Sequence, residues 1–92
     1  MSFDPSSKPR LAAGVRLGEH QGQRVLLMPE RALRLNGPSL EIVTRCDGGH
    51  TVAQIVEELQ GLYGKADPRT VERDIHGYLE LLERERALDF AT

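Results

Sequence analysis

Residues 35–59 read LNGPSLEIVTRCDGGHTVAQIVEEL and predict two short helices joined by a glycine turn. Apolar residues recur at helical spacing in the first half, at Leu40, Val43 and Cys46. Residues 47–49, Asp-Gly-Gly, end this helix because glycine accepts the left-handed conformation that closes a last turn. Thr51 and Gln54 then fit a capping box, which predicts that the second helix begins there. Two helices around a tight turn are typical of DNA-binding proteins, so this stretch raises the question of what the chain binds.

Short apolar segments before this stretch predict a β-sheet. Residues 15–17 and 25–28 flank a glycine-containing turn at residues 19–23, which predicts a β-hairpin. Pro29 with its neighbour Glu30 breaks the second strand. Residues 32–35 alternate again, with their two leucines on one face, and predict a third strand.

A long amphipathic helix is predicted near the end of the chain. Asp67 is its expected N-cap, and Pro68 suits the first helical position, where a missing N–H costs nothing. Its apolar face contains Val71, Ile75, Tyr78, Leu79 and Leu82. We expect this helix to continue to about Leu88. By the same reasoning, Asn36 is the expected cap of the first helix.

The predicted order of three strands followed by three helices indicates an α+β fold. In this class the helices pack on one face of a three-stranded antiparallel sheet, in a frame like that of a winged helix-turn-helix. The 92 residues suffice for one domain, which we place at residues 11–90. Residues 1–10 are polar and contain two prolines, so we predict a flexible arm unless a partner orders it. Phe3 in this arm could dock on a neighbouring subunit, which leaves a homodimer open.

The composition carries no sign of a membrane segment, an enzyme or a cofactor. No apolar run approaches the roughly 20 residues of a membrane-spanning helix, and the N-terminus lacks an apolar signal segment, which predicts a cytoplasmic protein. The single cysteine, Cys46, is expected to be a small buried residue. His20, His50 and His76 lack the spacing of metal ligands or of a catalytic group. We therefore expect no enzyme, no metal and no cofactor.

The charge distribution disfavours nucleic acid as a partner. The formal net charge is −2, with +3 in residues 1–46 and −5 in residues 47–92. The second predicted helix contains Glu57 and Glu58 and no basic residue, whereas phosphate binding requires Lys and Arg. The alternative function, a winged-helix transcriptional regulator, would thus have the frame of a DNA-binding protein without its charge.

The third predicted strand is the best candidate for a binding site. If the sheet ends at this strand, its outer N–H and C=O groups are unpaired and an extended peptide can add as a further strand. Arg31 and Arg34 would make the edge positive and favour an acidic peptide. The alternative interpretation is that the two arginines simply protect the edge against aggregation.

Five segments together resemble one known family. They are VRL at 15–17, LLMPE at 26–30, LRLNGPSLEIV at 33–43, CDGGHTVAQIVEEL at 46–59 and VERDIHGYLELL at 71–82. Their order resembles the PqqD family of pyrroloquinoline quinone (PQQ) biosynthesis, and the likeness extends over residues 9–90. Each segment alone is weakly specific, and the combination is what carries the resemblance.

The resemblance implies a function and a site. Members of that family are peptide chaperones without catalytic activity, which bind the precursor peptide PqqA and present it to the radical SAM enzyme PqqE. They belong to the recognition elements of ribosomal peptide maturation, which hold a leader peptide as an added strand. The implied peptide-binding residues are those of the third strand and the third helix, namely Arg31, Ala32, Leu33, Arg34, Leu35, Val71, Ile75, Tyr78 and Leu79. Which of the four helical residues face the peptide and which face the core stays open at this point.

Overall fold

A computed structural model describes residues 3–91 of the chain. Five strands and three helices follow one another in the order β1 (Lys8–Leu11), β2 (Arg16–His20), β3 (Gln23–Met28), β4 (Arg31–Arg34), α1 (Pro38–Thr44), α2 (Val52–Leu62), α3 (Pro68–Arg84) and β5 (Leu88–Ala91). Strands β2, β3 and β4 form an antiparallel sheet in that order, and β1 pairs with β5 in a second, two-stranded sheet. The prediction of an α+β fold with a three-stranded antiparallel sheet and three helices is confirmed.

Both turns of the three-stranded sheet are two residues long, and both use left-handed backbone. Gln21 (φ 53°) and Gly22 (φ 80°) join β2 to β3, which is the pattern of a type I′ hairpin. Pro29 and Glu30 (φ 65°) join β3 to β4, with proline at the position where its fixed φ suits a turn. Such short turns leave no freedom in register, so the side chains of β4 are fixed relative to β3.

The helices cover one face of this sheet and form the core with it. Leu26 of β3 and Leu35, the residue after β4, supply the sheet side of the core, and both are almost fully buried. The helical side consists of Ile42, Val43, Val52, Ile55, Leu59, Val71, Ile75, Leu79 and Leu82. Because the apolar stripes of all three helices are used in this contact, the opposite face of the sheet remains outside the helical layer.

Two of the three predicted helix starts are confirmed. Thr51 accepts a hydrogen bond from the N–H of Gln54, and the Gln54 side chain accepts one from the N–H of Thr51. Asp67 caps α3 by accepting from the N–H of Arg69. The prediction that Asn36 caps α1 is wrong. The cap residue is Gly37, with no side-chain cap, and the Ser39 hydroxyl instead accepts from the backbone N–H of Asn36.

The prediction of a flexible arm at residues 1–10 is wrong for its last three residues. Lys8–Leu11 pairs antiparallel with Leu88–Ala91, and Pro9 in the middle of the pairing is among the fully buried side chains. The partner strand lies at the other end of the chain, so no local pattern announces this pairing. Met1 and Ser2, which also belong to the predicted arm, lie outside the described residues.

Residues just before β1 are tied to the helices as well. The carbonyls of Ser7 and Pro5 accept hydrogen bonds from the N–H groups of Val52 and Ala53, at 2.8 Å and 3.0 Å. These are first-turn donors of α2, which have no partner within the helix. The ring of Phe3 lies 5.1 Å from that of Phe90, between centroids, in the same chain. Phe3 is therefore used within one molecule, and the homodimer stays an untested expectation.

The end of α3 also differs from the prediction, because the helix ends at Arg84 instead of near Leu88. Arg86 has φ 59°, its N–H donates to Glu83, and the N–H of Ala87 donates to Leu82. This is a Schellman motif with arginine where glycine is usual, and the expected apolar contact is present because Ala87 and Leu82 are both buried. Without a glycine, the sequence gives no signal for this stop.

Replacing Arg86 by glycine should therefore stabilise the fold. Glycine adopts positive φ without strain, so we expect Arg86→Gly to raise the free energy of unfolding by about 0.5–1 kcal/mol in urea denaturation. The matched control is Arg73→Gly at an exposed position inside α3, which should lower it by about 1 kcal/mol. Equal losses in the two variants would contradict the left-handed stop.

Candidate functional site

The outer edge of β4 presents unpaired backbone groups at two residues. The N–H of Leu35 donates to the carbonyl of Arg24 on β3, 2.9 Å away. Backbone N–H and C=O groups alternate in direction along an antiparallel strand. The backbone groups of Leu33 therefore also point to β3, and those of Ala32 and Arg34 point outward, away from the sheet. The open edge, as we call the outer N–H and C=O groups of Ala32 and Arg34, can thus form the ladder of an additional strand.

Helix α3 runs beside this edge in the opposite direction. At one end, Arg31 forms an ion pair with Glu85, the residue that follows the last turn of α3. At the other end, the Tyr78 side chain lies beside Ser39, in the first turn of α1. Tyr78, Leu81 and Glu85 are three and four residues apart and so share one side of the helix, which we call the α3 flank. We call the surface between the open edge and the α3 flank the groove.

The structure separates the four helical residues that the resemblance assigned to the groove. Val71, Ile75 and Leu79 are 9%, 2% and 0% exposed and belong to the core, so their side chains are not accessible to a ligand. Tyr78 is partly buried and lies on the α3 flank. The five residues of the third strand also divide, since Leu35 is buried and Leu33 is partly buried, while Arg31, Ala32 and Arg34 are exposed.

Two residues of the α3 flank were missed in reading the sequence. Leu81 is partly buried without belonging to the packed core, and Glu85 contacts Arg31. A signal for them exists, because both continue the i, i+3 and i+4 spacing from Tyr78 on the side of the helix away from Leu79. The sequence alone does not reveal which side of the apolar stripe turns toward β4.

The hydroxyl of Tyr78 is buried and, among residues 3–91, has no hydrogen-bond partner. It lies next to the Ser39 side chain without the geometry of a hydrogen bond, and the Ser39 hydroxyl instead donates to the carbonyl of Asn36. Burial raises the pKa of the Tyr78 phenol above its ordinary value, because the charged form would lose its hydration. The groove thus contains one polar atom whose bonding is incomplete.

The two arginines of β4 are in different electrostatic situations. Arg31 points to the helical side and forms an ion pair with Glu85, which offsets part of its charge. Arg34 points to the other face, and within the described range 3–91 no carboxylate pairs with it. Arg34 is therefore the β4 arginine whose charge has no carboxylate partner among the described residues.

Cys46 and His50, the nearest approach to a nucleophile and its base between residues 3 and 91, do not act together. Burial raises the pKa of the Cys46 thiol to about 12, so the thiol stays protonated at neutral pH. His50 lies 3.0 Å from Asp47, and its ring is engaged there instead of with Cys46. In the part of the chain that the structure describes, no cluster of His, Cys, Asp and Glu could hold a metal ion. Of the helices between residues 3 and 91, none is long and apolar enough to cross a membrane.

A three-stranded sheet whose β4 edge is open, set beside a helical layer, defines the frame of a small recognition module. Comparison with known families agrees with this class. The family model described as Coenzyme PQQ synthesis protein D (PqqD) matches residues 23–88. The chain belongs to the PqqD family.

Relatives of the chain carry names that refer to the same pathway. The chain is 39% identical over 90 residues to the Bifunctional coenzyme PQQ synthesis protein C/D of Methylorubrum extorquens. The alignment covers 96% of this chain and 24% of the relative. It therefore spans about a quarter of that longer protein. The PqqA binding protein of Xanthomonas axonopodis pv. citri is 38% identical over 84 residues, with 89% of this chain and 90% of the relative covered.

Solved structures share the fold. The NMR structure of the PqqD part of Methylobacterium extorquens PqqCD, described as a stand-alone RiPP recognition element, superposes with a TM-score of 0.75 at 38% identity. It covers 96% of this chain and 95% of that one. TbiB1 in complex with the TbiA(β) leader peptide also gives a TM-score of 0.75, covering 87% and 94%, but its 23% identity supports a common fold alone.

The incomplete bonding of Tyr78 has a measurable consequence for stability. A buried hydroxyl without a partner costs roughly 1–3 kcal/mol, so Tyr78→Phe should raise the free energy of unfolding, by about 1 kcal/mol in urea denaturation. Tyr63→Phe is the matched control and should change little, because the Tyr63 hydroxyl is not trapped in this way. A loss of stability in Tyr78→Phe would show that the hydroxyl has a partner.

Proposed function

We propose that this chain is a non-catalytic peptide chaperone of PQQ biosynthesis, which binds the precursor peptide PqqA as an added strand on the open edge. The observation that carries the proposal is the pair of outward-facing backbone groups at Ala32 and Arg34, beside the α3 flank. Membership of the PqqD family and the relatives named PqqA binding protein support the choice of peptide.

Each part of the groove has a role in this proposal. The open edge supplies main-chain hydrogen bonds, which bind a peptide without reading its sequence. Alternate side chains of an added strand would point into the groove, where Leu33, Tyr78 and Leu81 offer a partly buried apolar wall. Val71, Ile75 and Leu79 act indirectly in this arrangement, because they hold α3 against the core.

Presentation of the bound peptide to the radical SAM enzyme PqqE is the second part of the proposal. A peptide held as an edge strand is extended and covered on one side only, so the remainder of its chain is free to enter another protein. The cytoplasmic location expected from the sequence belongs to the same proposal. Winged-helix DNA binding is the competing function, and a gel shift at low salt, where phosphate contacts are strongest, tests it.

Proline at the open edge tests the proposed binding mode. The N–H of Ala32 faces away from β3, so Ala32→Pro removes a donor from the added ladder without removing one from the sheet. We expect its affinity for PqqA, measured by titration calorimetry, to fall by about tenfold or more, because a peptide carbonyl is left without a partner.

Glu19→Pro is the matched control on the opposite edge of the same sheet. The backbone groups of Arg24 point to β4 and therefore away from β2. Glu19 is the register partner of Arg24 on β2, so its own N–H points outward, away from the sheet. This variant should bind PqqA like the unmodified chain. In ¹⁵N-labelled protein, PqqA should shift the amides of residues 32–34. If the amides of β2 shift instead and only Glu19→Pro loses binding, the peptide pairs with β2 and the proposed binding to β4 is wrong.

A further inference from the structure

The face of the sheet that points away from the helices contains a small cavity next to the open edge. It has a volume of about 340 Å³ and is lined by His20, Gln21, Gln23, Val25, Ala32 and Arg34. Val25 is 6% exposed although it lies on this outer face and outside the core cluster. The cavity therefore combines an apolar floor with the guanidinium-bearing side chain of Arg34.

A strand added to the open edge would reach this cavity with one particular side chain. The residue paired with Arg34 would point to the same face of the sheet, with its Cβ atom roughly 4.5–5.5 Å from that of Arg34. Its neighbours on either side would point to the opposite face and into the groove beside the α3 flank. The peptide residue opposite Arg34 thus meets a different environment from the residues before and after it.

The charge of this outer face determines which side chain fits. No carboxylate lies on this face of β2, β3 or β4, where Arg16 and Arg34 are the charged residues. Arg34 makes no ion pair within the described residues, whereas Arg31 on the other face is already paired with Glu85. An acidic side chain opposite Arg34 would gain a cross-strand ion pair beside the apolar side chain of Val25.

We propose that Arg34, above the floor formed by Val25, is a specificity-determining residue that recognises one acidic side chain of the bound peptide. The residues on either side of it would face the partly buried Leu33, Tyr78 and Leu81, which favour apolar side chains. This inference rests on the proposed function, because it requires a peptide strand on the open edge. It adds the position and the chemistry of one contact, which strand addition alone does not specify.

A charge-reversal cycle tests the contact. Synthetic PqqA and a set of variants, each with a single Asp or Glu replaced by Lys, are titrated against the unmodified chain and against Arg34→Glu. We expect one lysine variant to bind the unmodified chain about fivefold to tenfold more weakly and to recover its affinity with Arg34→Glu. Arg34→Gln should weaken the binding of unmodified PqqA by a smaller factor than Arg34→Glu does. With Arg34→Gln, the acidic and the lysine form of that peptide position should bind with similar affinity.

Arg16→Glu is the matched control, because Arg16 lies on the same outer face but two strands from the open edge. It should show no coupling with any peptide position. If unmodified PqqA binds and no acidic position couples to Arg34, or if one couples to Arg16 instead, the inference is overturned while peptide binding stands. If unmodified PqqA does not bind at all, the proposed function fails, and the inference fails with it.

Discussion

The need of every backbone N–H and C=O group for a partner governs this small fold. In a three-stranded sheet, the two outer strands each keep a row of such groups without a partner in the sheet. Strand β4 is four residues long, begins directly after a tight turn and ends where Leu35 enters the core. Its open edge is therefore short, which limits pairing between copies and still leaves room for a few residues of an extended peptide.

The two sides of α3 have different roles, because one is buried in the core and the other is partly exposed. The residues at its centre, Ile75 and Leu79, fix the helix against the sheet. The α3 flank is partly exposed, ends in the ion pair between Glu85 and Arg31, and forms the second wall of the groove. Since β4 and α3 pack on the same core, the open edge and the α3 flank are held in a fixed relation, which limits the ordering that a bound peptide would require of them.

Local patterns in the sequence predict local structure well in this chain. The Thr51–Gln54 capping box, the Asp67–Pro68 start and strands β2, β3 and β4 are all visible as residue types at short spacing. The strand pairing of Lys8–Leu11 with Leu88–Ala91 is not visible in this way, because the two strands lie near opposite ends of the sequence. The stop at Arg86 is missed for another reason, since arginine stands where the usual signal is glycine.

The candidate site shows the same division between local and long-range information. Arg31 and Arg34 are recognisable as edge residues from strand alternation, but their separation into one paired and one free arginine depends on Glu85, more than fifty residues away. An apolar stripe on α3 likewise predicts which residues are buried or nearly so. It does not predict which side of the stripe borders β4, so Leu81 could not be distinguished from an ordinary exposed leucine.

The pairing of the two terminal strands also affects how this domain can be combined with others. Lys8 and Ala91 are direct neighbours across a β-ladder, so a linker joined before the first strand and one joined after the last would leave from the same spot. A second domain fused before β1 or after β5 would therefore be connected to the same side of this domain in both cases. The bifunctional Methylorubrum protein, in which the matched region is 24% of the length, is a natural instance of such modular architecture.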